Sequence, residues 1–207
     1  MSTTPRSPRK GAITAEASID NENDVGPPID FSFKMLCSMD DATEDEMRQG
    51  SRKHKYDEEG KINSNALRMN NNALTTLDGL PGAITRLFIN PEALAWVDLS
   101  FNDLTTVDPV LLGYGNIKVL YLHGNSIENI VEVDKLPALP VLKNLTLHGN
   151  PIDQEPGYKH YILSLMPHLA SLDFTSVSKA DRATAKTWIH MYGKTMKSKK
   201  KKKKKAA

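Results

Sequence analysis

The chain has 207 residues, of which 39% are hydrophobic and 25% charged, a balance that suits one folded domain with polar ends. No apolar run approaches the roughly 18–20 residues that cross a bilayer, and the opening MSTTPRSPRK lacks the apolar core of a secretory signal. The lone cysteine, Cys37, has no partner for an internal disulfide, so a reducing, intracellular compartment is expected. The net charge of +2 hides a division, because twelve basic residues and one acid follow from Ser178 onward, leaving a net of −9 before it.

Residues 1–61 are expected to be largely disordered. The Ser/Thr/Pro-rich start and the charge run SMDDATEDEMRQGSRKHKYDEEGK carry no sustained apolar period. The exception is PPIDFSFKML at 27–36, where Pro27 and Pro28 precede alternating Ile29, Phe31 and Phe33. Such a segment suits a strand added along a sheet edge or a linear docking motif.

From residue 62 to 192 the chain repeats itself. The segments NALRMNNNALTTL (65–77), LAWVDLSFNDLTTV (94–107), IKVLYLHGNSIENI (117–130) and LKNLTLHGNPI (142–152) share the frame L-x-x-L-x-L-x-x-N-x-L, and LASLDF (169–174) is a truncated fifth unit. The registered asparagines are Asn72, Asn102, Asn125 and Asn150, spaced by 30, 23 and 25 residues. The frame is similar to the leucine-rich-repeat signature. Its paired apolar residues, such as Leu120 and Leu122, alternate with period two and predict short strands with one buried face. Each asparagine amide is expected to satisfy backbone groups of neighbouring units, and Leu74, Leu104, Ile127 and Ile152 return the chain to the core. The long first interval contains LDGLPGAITRLFINPEAL, too short for another unit, and predicts a short helix on the convex side.

A cap should follow. Tyr158, Tyr161, Ile162 and Leu165 have helical spacing and stop at Pro167. Ser178 and Asp181 form a capping-box pattern before a second helix, whose side carrying Ala180, Thr184, Trp188 and Met191 is expected to cover the last open repeat. Residues 193–207 read as a disordered basic tail, with Lys199, Lys200, Lys201, Lys202, Lys203, Lys204 and Lys205 in one run. Such a polycation suits an acidic surface: tubulin tails, RNA or anionic lipid. The predicted architecture is an α/β solenoid, a right-handed β-α superhelix with a short parallel sheet on its concave face and a helical cap at the C-terminal end.

The duplicated His-Gly-Asn of LYLHGNSI and LTLHGNPI raises the question of metal binding or base catalysis. His123 and His148 should lie on neighbouring strands, about 4.7–4.9 Å apart. Zinc takes three or four ligands, and the equivalent positions, Asn70 and Ser100, supply no strong one. The histidines therefore read as partly exposed strand-end residues. No G-x-G-x-x-G, P-loop or G-x-S-x-G pattern occurs, and Cys37 lies in the polar N-terminal segment. The sequence points to no enzyme, no metal and no cofactor. What remains is surface. Trp96, Asp98, Tyr121 and Thr146 alternate with the buried leucines, and Phe101, His123 and His148 lie at the strand ends. These seven are the candidate partner-binding residues, because aromatic anchors ringed by polar groups suit protein interfaces.

Across about residues 27–191, including PPIDFSF, LAWVDLSFNDLTTVDPVL, VLYLHGNSI, LPALPVLKNLTLHGNPI, GYKHYIL and FTSVSKADRATAKTW, the chain resembles the leucine-rich-repeat family typified by the phosphatase regulator SDS-twenty-two, an axonemal dynein light chain and the spliceosomal A-prime protein. The resemblance implies a non-enzymatic, intracellular adaptor associated with the cilium or flagellum, with axonemal subunits or tubulin as protein partners. Neither a small-molecule substrate nor nucleic acid is expected as its main partner. The rival readings are a nuclear ribonucleoprotein adaptor and a phosphatase-regulatory subunit.

Overall fold

The structure, a computed structural model, describes residues 25–206, with side chains for residues 25–193. The five repeat units form the short strands β2 (Ala66–Arg68), β3 (Trp96–Asp98), β4 (Val119–Tyr121), β5 (Asn144–Thr146) and β6 (Ser171–Leu172), flanked by β1 (Ile29–Asp30) and β7 (Thr175–Ser176). They pair in chain order, parallel from β1 to β6 and antiparallel between β6 and β7. Leu67, Val97, Leu120, Leu145 and Leu172 share one register and form a buried row. Met69, Leu99, Leu122 and Leu147 form a second buried row, two residues further along the chain. Alternation alone accounts for these rows, since every second side chain faces the core.

The asparagines make the ladder expected of them. Asn125 donates through Nδ2 to the carbonyls of Leu99 and Leu122, at 3.0 and 2.9 Å, and accepts the Leu104 N–H at 3.1 Å. Asn102 and Asn150 repeat the pattern one strand to either side. The turns bend inward, and these amides supply partners for backbone groups that water cannot reach.

Behind the sheet, α2 (Leu80–Leu87) occupies the long first interval, as its spacing predicts. The other return segments include short 3-10 turns at Pro91–Ala93, Pro109–Gly113, Ile130–Ala138 and Pro151–Gln154. Three of these turns begin with proline, whose missing N–H is harmless at a helix start.

Of the segment expected to be disordered, residues 1–24 lie outside the described residues, and residues 25–61 differ from the expectation. From residue 25 the chain is folded against the first repeat, and IDFSFK (29–34) repeats the pattern of VDLSFN (97–102). The Ser32 N–H donates to Asp30 at 2.8 Å, as the Ser100 N–H donates to Asp98 at 3.0 Å. Ile29 and Phe31 enter the core, together with Leu36, Met39 and Ala42 around α1 (Asp41–Glu44). Lys34 stands where the ladder asparagine would be, and Asn72 instead accepts its N–H at 2.9 Å.

The charge run then closes the outer margin of β1. The Pro28 carbonyl lies 3.1 Å from His54 Nε2, Asp30 O accepts the Arg48 N–H at 2.7 Å, and Ser32 O takes the Arg48 side chain at 3.4 Å. These alternate carbonyls point away from β2 and would otherwise be an open pairing edge.

At the other end, α3 (Tyr158–Leu165) buries Tyr158, Tyr161 and Ile162. The capping box forms, with Asp181 N–H donating to Ser178 Oγ at 3.1 Å and Ser178 N–H to Asp181 at 2.9 Å. It opens α4 (Lys179–Ala206). The inward side of α4 carries Ala185, Trp188 and Ile189, whereas Ala180, Thr184 and Met191 are exposed. α4 lies against α3, and the last repeat is covered by the β6–β7 hairpin. Gly157 decides this seating: a Cβ there would come within 2.2 Å of the Trp188 ring. The tail also differs from expectation, since its backbone continues as helix to Ala206. Lysine tolerates a helix interior well, and positive charge suits a helix C-terminus.

Candidate functional site

The solvent face of the sheet carries a connected aromatic cluster. Trp96 meets Tyr121 edge-on at 5.6 Å, and Tyr121 meets Phe174 at 5.3 Å. Phe174 continues to His123 at 5.4 Å and His148 at 5.6 Å, and His123 meets Phe101 at 5.0 Å. The parallel register brings Trp96, Tyr121 and the histidines together. Phe174 arrives from the β6–β7 turn.

Backbone conformation sets the rim of this cluster. The residue before each ladder asparagine is left-handed: Asn71 at φ 56°, Phe101 at 52°, Gly124 at 68° and Gly149 at 72°. Glycine is the ordinary occupant of that conformation. Phe33, one strand before Asn71, shares it at φ 57°, and Asp173 and Phe174 share it at 51° and 60°. Each bulky residue held there costs about 1–2 kcal/mol. Yet Phe33, Phe101 and Phe174 are 63%, 53% and 62% exposed, so little burial offsets the cost. Exposed rings in strained backbone are a mark of sites under selection for something other than stability.

The two histidines stack with ring centroids 4.7 Å apart and planes 6° from parallel. His123 Nδ1 lies 2.8 Å from Thr146 Oγ1, and His148 Nδ1 lies 3.3 Å from Asp173. Burial, then the neighbouring His148, pull His123 below the usual histidine value, outweighing Asp98 and Asp173. Asp173 also accepts the Leu147 and His148 N–H groups at 2.7 and 3.0 Å and the Tyr158 hydroxyl at 3.0 Å, so it ends the ladder at this margin. Among the described residues, no group of three or more His, Cys, Asp or Glu side chains is placed to hold a metal. The glycine of His-Gly-Asn is there for the turn, and the asparagine for the ladder.

The seven candidate residues do meet on one face, unequally accessible. Phe101 is exposed, and Trp96, Tyr121 and His148 are half-buried. Asp98, His123 and Thr146 are buried, Asp98 holding the Ser100 N–H and hydroxyl at 3.0 and 2.6 Å. The N-terminal docking candidates separate: Ile29 and Phe31 belong to the core, and Phe33 alone of the two phenylalanines stays outside. Lys199 to Lys205 lie beyond the described side chains. Three residues join the site unannounced: Phe174, Asp173, and Arg68, whose guanidinium lies 5.3 Å from the Trp96 ring centroid and 3.4 Å from Asp30.

Stacked parallel strands tied by an asparagine ladder define a repeat scaffold whose open face presents side chains to solvent. A family model, Leucine-rich repeat, matches residues 63–206. Leucine-rich repeat-containing protein 51 of Bos taurus is 50% identical over 80% of this chain and 86% of its own length. The Homo sapiens protein of that name is 46% identical over 83% and 90%. The chain therefore belongs to the leucine-rich-repeat family, on the branch of leucine-rich repeat-containing protein 51. A solved Drosophila melanogaster SNF/U2A' complex contains a chain of like fold, with TM-score 0.53 and 24% identity over 61% of this chain and 68% of that one. The family and these relatives point to a protein-interaction scaffold rather than an enzyme. No helix among the described residues is long and apolar enough to cross a membrane.

Proposed function

We propose that the protein is an adaptor of the ciliary or flagellar axoneme, holding a partner protein on the solvent face of its sheet. Trp96, Tyr121, Phe101 and His148 supply contact area there, with Asp98, His123 and Thr146 fixing their positions from beneath. The observation that carries this reading is the exposed aromatic cluster, kept in place by strained backbone at Phe101 and Phe174. The lysine-rich end of α4 adds a second attachment to an acidic surface such as a tubulin tail. Two weak contacts on one rigid body raise avidity by about 10²–10⁴ when both are reached at once.

The test is to tag the full chain in a flagellated cell, extract with detergent, and follow it as salt is raised. Retention on the axoneme, with release by Trp96→Ala plus Tyr121→Ala, supports docking through the sheet face. Release of the wild type by detergent alone, or concentration in the nucleus with RNase sensitivity, overturns the axonemal reading in favour of a ribonucleoprotein adaptor. Co-purification of a phosphatase catalytic subunit, lost on the same substitutions, would instead assign a regulatory subunit.

A further inference from the structure

The aromatic rings of the sheet face fall into two groups. Two of them already carry an arginine: Arg48 lies 5.7 Å from the Phe33 centroid and Arg68 lies 5.3 Å from that of Trp96. The other three rings have ring neighbours but no arginine. Among the described residues no cation lies over Phe101, Tyr121 or Phe174, and Phe101 and Phe174 are as open to solvent as Phe33. Beside them, neither Asp98 nor Asp173 pairs with a lysine or arginine among the described residues. Arg68 is drawn toward Asp30, while Asp98 pairs with Ser100 rather than with a cation. Asp173 bonds backbone N–H groups and the Tyr158 hydroxyl, with His148 as its neighbour. Both carboxylates bear on His123, packed between Phe101 and Phe174.

We propose that Phe101 and Phe174 are landing sites for arginine side chains of a partner protein, drawn in by Asp98 and Asp173. This deepens the docking reading given above, on which it rests, by naming the partner's chemistry. A guanidinium is planar and weakly hydrated, so it stacks on an aromatic face while keeping its charge near a carboxylate. An ammonium, compact and strongly hydrated, gains less from the ring and leans on the acids alone. The protein's own Arg48 and Arg68 show the same pairing on Phe33 and Trp96.

The experiment titrates the full-length protein with a labelled peptide of alternating glycine and arginine, and with its glycine–lysine counterpart of equal charge. The arginine peptide is expected to bind about fivefold more tightly than the lysine peptide, a preference set by the rings. Phe101→Gly with Phe174→Gly should weaken the arginine peptide about tenfold and remove its preference over lysine. Glycine suits both left-handed positions, so the variant should keep the wild-type circular dichroism and cooperative unfolding. Phe101→Leu with Phe174→Leu, which keeps apolar bulk without a ring, should also lose the preference. Equal binding of the two peptides, unchanged binding by the variants, or no binding of either peptide overturns the proposal. If the arginine preference holds while the wild type washes off axonemes, the axonemal reading falls and the ring chemistry stands. The reverse pair of results removes the ring chemistry and leaves the adaptor.

Discussion

Phe101 lies against Gly124 so closely that a Cβ on the glycine would come within 2.6 Å of Phe101 Cδ1. Gly124 is thus required twice, for its φ of +68° and for the ring above it. Gly124→Ala should cost about 2–3 kcal/mol, combining left-handed strain with overpacking. Part of that cost belongs to the ring. Thermal melts of Gly124→Ala, Phe101→Ala and the double variant should therefore give a coupling of roughly 1 kcal/mol, with the double variant better than the sum. Simple additivity would mean that Phe101 swings aside freely.

Asn125 holds three backbone groups from a buried position. Asn125→Ala should destabilise by about 2–4 kcal/mol, since removing one partner leaves buried groups unsatisfied. Chemical denaturation checks the value. At the margin, Asn72→Ala should act locally, freeing the Lys34 and Leu36 N–H groups it accepts at 2.9 and 3.1 Å. Faster hydrogen exchange around Phe31 and Leu36, with slow exchange retained at Leu122 and Leu147, would locate the effect.

The turn Asp173–Phe174 joins β6 to β7 with both residues left-handed, the geometry that usually takes Asp-Gly. Phe174→Gly should be more stable than Phe174→Ala by about 1–2 kcal/mol. Both lose the ring, so the difference isolates the backbone strain. Equal melting temperatures would show that the turn relaxes.

His123 makes stability depend on pH. Its value in the folded protein lies below the ordinary 6.5, so near and below 6.5 the unfolded chain binds more protons than the folded one. Stability from this residue is therefore present above its unfolded value and is lost as pH falls through the folded one. Wild-type melting temperature should drop more than that of His123→Gln between about pH 7.5 and about pH 5. A steeper fall in the variant would contradict the burial of His123.

Most of the scaffold was legible in the sequence because its signals are periodic. Leu120, Leu122 and Asn125 recur in register, Tyr158, Tyr161 and Ile162 mark one side of a helix, and Ser178 with Asp181 announces the next. The misreadings arose where tertiary contacts choose between equal patterns. Trp188 and Met191 are three residues apart and either suits an inward face, but only Trp188 meets Gly157. Phe174 stands where Leu147 stands one unit earlier, a core position by frame, yet two successive left-handed residues turn it outward. The charge run after residue 37 is misread because its composition resembles disorder; for PPIDFSFKML the sequence leaves a docking motif open beside the edge strand. The match of IDFSFK to VDLSFN, visible by aligning the chain to itself, is the signal that finds it.

The strap from Arg48 to His54 has a consequence for recognition. With the outward carbonyls of Pro28, Asp30 and Ser32 already engaged, the β1 margin leaves an incoming chain little backbone to pair with, and β7 presents only two residues. A main chain is the same in every protein, so binding by strand addition discriminates weakly. A visitor to the β1 side would have to be read through its side chains, so the strap from Arg48 to His54 acts as a filter at that margin.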